Sequence, residues 1–161
     1  DVIFSISHLK LGKDEKAISK DYCQNLSEGY FTVNGAIEIL EFLKNKGYFL
    51  CATTNGFSFT QFKRIKNSGL EPFFNKIFIS EDTGHQKPEK EYFDYAVNNI
   101  PEKNRRNILI IGDSQSSDIL GGINSDIDTC WYNPKNKPTP EGMEITHVSP
   151  DFEDVYNFIV S

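Results

Sequence analysis

From Gly35 onward, short apolar runs alternate with segments whose apolar residues recur at helical spacing. The spacing predicts a helix over 36–46 that stops at Gly47, and Gly is a favoured residue just past a helix end. A buried strand follows over 48–53, then a helix over 59–67 ending near Ser68-Gly69. A short strand over 76–79 precedes a helix over 90–99, with Pro88 expected to favour its first turn. The run Ile108-Leu109-Ile110-Ile111 predicts a strand over 107–111, followed by a helix over 116–124 and a strand over 128–132. Three turn formers, Pro138, Pro140 and Gly142, predict an irregular loop over 135–142. A last short strand over 146–148 and a helix capped by Asp151 and running to about 160 complete the pattern. Strands and helices in alternation are the signature of an α/β fold, a parallel sheet with helices on both faces.

Residues 1–28 break this rhythm. They are polar and lysine-rich after a short apolar start, and they read as part of a separate helical element. The 161 residues suffice for one domain with a real core, here expected over 29–161.

Charge narrows the function classes. A net charge of −6 argues against a general nucleic-acid binder, which would carry a basic face. No apolar run reaches the length of a membrane span, and no signal peptide is visible, so a membrane partner is not expected. Cys23, Cys51 and Cys130 lack any zinc-ligand spacing, and Cys51 and Cys130, in apolar stretches, read as buried free thiols in a reducing cytoplasm. The three histidines, His8, His85 and His147, share no ligand-like spacing and read as surface or loop residues. Phe57, just past Thr54-Asn55-Gly56, stands near the expected rim of a site at the strand ends.

Three strand ends carry reactive groups. Thr53-Thr54-Asn55-Gly56 offers a hydroxyl and backbone N–H groups that can hold a phosphate oxygen, or simply a polar turn. Lys87-Pro88 offers a point cation, although most single lysines are only solvated. Gly112-Asp113-Ser114, with Asp118 following, offers two carboxylates where α/β sheets bind ligands. Hard oxygen donors there suit Mg²⁺. The bland alternative is a helix N-cap at Asp113 or Ser114 with Asp118 exposed.

Taken in order, Thr54-Asn55, Lys87-Pro88 and Gly112-Asp113-Ser114…Asp118 resemble motifs two, three and four of the haloacid dehalogenase-like superfamily of phosphohydrolases. Thr54-Asn55-Gly56-Phe57, Ile79-Ser80-Glu81, Ser117-Asp118-Ile119-Leu120-Gly121-Gly122 and Asp128-Thr129-Cys130-Trp131-Tyr132-Asn133 are similar to the pyrimidine nucleotidase subfamily. The resemblance implies a Rossmann-like core and a Mg²⁺-dependent phosphomonoesterase of nucleoside 5′-monophosphates. It implies that Thr54 Oγ1 and the Asn55 backbone N–H bind the transferring phosphoryl group. Lys87 would balance charge there, Asp113 would ligate Mg²⁺, and Asp118 would orient the metal's water or Lys87. Sugar phosphates are an alternative substrate class. A metal-free dehalogenase would leave Asp113 without purpose, and a phospho-accepting receiver domain would lack the second acidic motif.

One motif is missing. The superfamily's first motif, Asp-x-Asp-x-Thr after a central strand, supplies the nucleophile and general acid, and no such segment occurs in these residues. The chain starts at Asp1 and its only methionine is Met143. The expectation is therefore an upstream extension carrying the nucleophile and most of a helical cap, with residues 1–28 as the cap's tail. Without that central strand the core should not fold stably, because unpaired backbone groups would line a gap. If the motif is truly absent, a non-catalytic binding role is the remaining reading.

Overall fold

The computed structural model describes residues 31–161; the expectation for residues 1–28 lies outside them. In chain order the elements are α1 (Ala36–Asn45), β1 (Cys51–Thr54), α2 (Ser58–Asn67), β2 (Lys76–Ile79), the single turn α3 (Ser80–Thr83), α4 (Lys90–Asn98), β3 (Leu109–Gly112), α5 (Leu120–Asn124), β4 (Asp128–Tyr132), β5 (His147–Ser149) and α6 (Phe152–Val160). Short 3₁₀ turns at Glu71–Phe73 and Arg105–Asn107, and a π-type turn at Gln115–Ile119, join them. The architecture is α/β, and every strand pairing among the described residues is parallel.

Apolar positions on the strands alternate between two cores, one per face. Ile108 and Ile110 pack with Phe78, Tyr92, Phe93, Ala96, Val97 and Ile127 under α4. Leu109 turns the other way, toward Ile39, Leu43, Cys130 and Val155 under α1 and α6. This period-two alternation puts helices on both faces of the strand layer. Burying side chains of this size contributes roughly 1.5–3 kcal/mol each.

The described strands form two sheets rather than one, in the orders β1–β2 and β3–β4–β5. Among the described residues, β1 and β3 therefore each keep one edge unpaired. That opening explains a departure from the sequence reading. The strand expected to be buried over 48–53 is the shorter Cys51–Thr54, only half-buried, with Tyr48 and Phe49 exposed before it. Pairing starts at Leu50, whose N–H donates to Asn75 Oδ1 at 2.8 Å and whose carbonyl accepts from Asn75 N–H at 2.8 Å. Strand β3 is likewise half-buried, with Ile111 exposed.

Other boundaries shift for local reasons. The helix expected over 116–124 opens as the π-type turn, because Ile119 N–H reaches back five residues to the Ser114 carbonyl at 3.1 Å. Helix α4 begins at Lys90 with Glu89 as its N-cap, so Pro88 precedes the helix instead of entering its first turn. Asp151 caps α6 as expected, its Oδ1 accepting from Asp154 N–H at 2.8 Å. His147 is not a loop residue: it opens β5, bonds Asp154 Oδ2 through Nε2 at 2.6 Å and stacks on Phe158. His85 is exposed and lies 3.5 Å from Glu89.

Candidate active site

The three strand-end motifs meet at the carboxyl ends of β1 and β3. Their meeting point is the Lys87 ammonium, which is nine-tenths buried. Lys87 Nζ donates to Asp118 Oδ1 at 2.6 Å and to the Thr53 carbonyl at 2.8 Å. The direction of that second bond follows from the ladder. Leu50 turns its carbonyl toward β2, where it accepts from the Asn75 and Lys76 amides, so alternation turns Thr53 the opposite way, to the free edge of β1. The ammonium thus spans from the open edge of one sheet to the acidic turn that follows the open edge of the other.

Lys87 is itself clamped. Its backbone N–H donates to Asn55 Oδ1 and its carbonyl accepts from Asn55 Nδ2, both at 2.9 Å. This reciprocal amide pair ties the turn after β1 to the loop before α4. Gln61 Nε2 adds a bond to the Asn55 carbonyl at 3.1 Å. The Asn55 side chain therefore serves the Lys87 backbone, a use that its place after a strand did not reveal.

The two carboxylates of the third motif diverge. Asp118 is buried, 8% exposed, which corrects the N-cap alternative in which it would be solvated. Its Oδ1 meets Lys87 and its Oδ2 accepts from Ser114 N–H at 3.2 Å. Ser114 does act as the N-cap of the π-type turn, through its Oγ and Ser117 N–H. Gly112 makes room: a Cβ there would lie 2.4 Å from Asp118 Cβ, so only glycine allows Asp118 to fold back over the strand end. Asp113 instead is exposed, while its carbonyl accepts from the buried Trp131 Nε1 at 3.2 Å.

On the other side, Thr54 closes β1. Its N–H donates to Tyr92 Oη at 3.0 Å, and Tyr92 Oη in turn donates to the Phe78 carbonyl at 2.7 Å. Burial drives the Tyr92 phenol strongly upward, so it stays neutral and can both donate and accept. Sequence reasoning missed Tyr92 and Trp131. The only available signal was that a buried Tyr or Trp needs a partner for its polar atom, which names no partner. Phe57 is 54% exposed, just past the turn.

Among the described residues no three His, Cys, Asp or Glu side chains gather to hold a metal ion. The donor set still fits Mg²⁺: a single exposed carboxylate, Asp113, at a sheet mouth matches an ion that takes one or two carboxylates and completes its shell with phosphate and water. Asp118 has both oxygens engaged by protein donors and so would not serve as a direct ligand.

The α/β fold thus brings a lysine, an acidic turn and a hydroxyl together at neighbouring strand ends. Comparison with known proteins specifies it further: the chain belongs to the haloacid dehalogenase-like hydrolase family, whose model matches residues 4–132. The HAD-hydrolase YfnB of Bacillus subtilis is 42% identical over 91% of this chain and 62% of its own length. Pyrimidine 5′-nucleotidase PynA of Streptococcus pneumoniae is 35% identical over 92% of this chain and 63% of its own. A crystal structure of YfnB bound to magnesium superposes with a TM-score of 0.87 at 40% identity, over 96% of this chain and 67% of that one. The chain thus spans about three-fifths of the length of the curated relatives it matches. No helix among the described residues is long and apolar enough to cross a membrane.

Proposed function

We propose that this chain is the greater part of a Mg²⁺-dependent phosphomonoesterase that hydrolyses nucleoside 5′-monophosphates. The observation that carries the reading is the Lys87 ammonium, buried between the Thr53 carbonyl and Asp118, with Thr54 on one flank and Asp113 on the other. Phosphoryl transfer asks the protein mainly for positioning and positive charge. A buried, doubly anchored cation beside a hydroxyl-bearing turn supplies both.

In this reading Thr54 Oγ1 and the Asn55 backbone N–H bind oxygens of the transferring group. Lys87 offsets the charge between that group and an attacking carboxylate. Asp118 fixes the ammonium, so its charge stays where charge develops. Asp113 would hold Mg²⁺ with phosphate and water oxygens, and the ion would supply further positive charge at the phosphoryl oxygens.

The attacking carboxylate lies outside the described residues. We infer that a further strand enters between the open edges of β1 and β3 and delivers an aspartate to the Lys87 ammonium, giving an aspartyl-phosphate intermediate. The described residues, 31–161, would then belong to the core domain. The two-sheet arrangement and the half-burial of β1 and β3 support an inserted strand. Small phosphorylated molecules would be the partners, and the name of PynA favours pyrimidine nucleotides among them.

The test is a panel of nucleoside monophosphates and sugar phosphates offered to the complete protein, with Mg²⁺ and with a chelator. Mg²⁺-dependent release of phosphate from pyrimidine monophosphates is expected. Hydrolysis of sugar phosphates alone would overturn the substrate class, and full activity under chelation would overturn the metal.

A further inference from the structure

We propose that Tyr92 is a positioning residue for the phosphate-binding turn, acting through Thr54. The proposal deepens the phosphatase reading and rests on it. Tyr92 lies on α4, is 0% exposed, and packs edge-on against Phe93 with ring centroids 5.5 Å apart. Its hydroxyl nevertheless leaves this apolar core and reaches the ends of two strands. There it accepts from Thr54 N–H and donates to the Phe78 carbonyl.

Those two partners are informative. The register pairs Thr54 with Ile79, and in a parallel ladder an amide reaches for the carbonyl of the residue before its partner, here Phe78. Tyr92 Oη therefore touches both halves of the final rung of the β1–β2 ladder. A hydroxyl at that rung sets how far apart the strand ends stand, and so fixes the backbone from which the Thr54 side chain projects. The same helix begins three residues after Lys87, so one element positions both the cation and the hydroxyl. Gly121 completes the setting: a Cβ there would fall 2.2 Å from the Phe93 ring, so only glycine lets α5 press α4 against the strand ends.

The test is Tyr92→Phe in the complete protein, alone and combined with Thr54→Ala. The substitution keeps the ring and its packing and deletes only Oη. With a pyrimidine nucleoside monophosphate as substrate, Tyr92→Phe should lower kcat about tenfold while KM changes by less than about threefold, because the Thr54 hydroxyl matters most in the transition state. In the Thr54→Ala background the same change should lower kcat by less than about twofold. A residue that merely stabilised the fold would lower kcat equally in both backgrounds, and that result, or no loss in the wild-type background, would overturn the proposal. The Thr54 amide resonance in ¹⁵N–¹H spectra gives a readout independent of turnover. It should move in Tyr92→Phe, and an unmoved resonance would also overturn the proposal. A wild-type protein that hydrolyses no phosphate ester would sink the phosphatase reading, and the amide resonance alone would then judge the hold of Tyr92 on Thr54.

Discussion

Removing the Lys87 ammonium should reveal how tightly the site is bound to the fold. In Lys87→Met the Asp118 carboxylate stays buried with only Ser114 N–H as partner, and the Thr53 carbonyl loses its donor. Breaking one side of a buried ion pair destabilises by about 3–5 kcal/mol, because the surviving charge is stranded out of water. That is a large share of the roughly 5–15 kcal/mol by which a domain is stable. Asp118→Asn should lose a comparable amount, since it strands the ammonium. The double variant Lys87→Met/Asp118→Asn strands no charge, and should be less destabilised than the two single losses together by about 2 kcal/mol or more. Urea unfolding followed by circular dichroism on the complete protein and its three variants supplies the four free energies, with constant slopes required for the comparison. Turnover should vanish in all three variants, so stability alone carries the test. Additivity of the single losses within about 0.5 kcal/mol would refute a buried, coupled pair at the centre of the site.

Gly112→Ala should destabilise by about 1–3 kcal/mol through overpacking against Asp118, and should abolish turnover by moving the Asp118 carboxylate off Lys87; a variant with wild-type melting and activity would contradict the close approach. The bond from His147 holds the Asp154 carboxyl below its ordinary value of 3.8, so the contribution is complete above that pH and disappears as pH falls through the lower folded value. His147→Gln should therefore unfold at a higher pH than wild type in an acid titration, with an unchanged midpoint as the contrary result. Burial pushes the Cys51 thiol up to about 11 and Cys130 to about 12, so both should resist iodoacetamide at neutral pH until the protein is unfolded, as peptide mapping by mass spectrometry would show.

The α/β class was legible in the sequence because its evidence is local. Apolar periodicity, Gly47 after α1 and Asp151 before α6 each act within a few residues. The candidate site was legible only in part. Thr54, Lys87, Asp113 and Asp118 could be singled out because the three motifs that hold them each stand at the end of a different strand, a position that a one-dimensional pattern records. What each side chain touches was not recorded there. The resemblance alone offered Lys87 as a partner of Asp118, and no pattern in the sequence recorded that Gly112 leaves the carboxylate room to fold back onto that lysine. Asn55 reads as a turn residue until its amide meets the backbone of Lys87, 32 positions away. The lengths of β1 and β3 were overestimated for a related reason. An apolar run predicts a buried strand, but burial also requires neighbours on both edges, and each of these strands keeps one edge open among the described residues.

The assignment of Asp113 as the ligand of a catalytic Mg²⁺ is tested most directly by Asp113→Asn in the complete protein. The exposed carboxylate is held through its backbone by Trp131, so the change should leave the fold intact. Hydrolysis of a pyrimidine nucleoside monophosphate at saturating Mg²⁺ should fall by at least about 100-fold, equivalent to about 2.7 kcal/mol of transition-state stabilisation. Undiminished turnover by a correctly folded variant would contradict the assignment of Asp113 as the ligand of the catalytic metal.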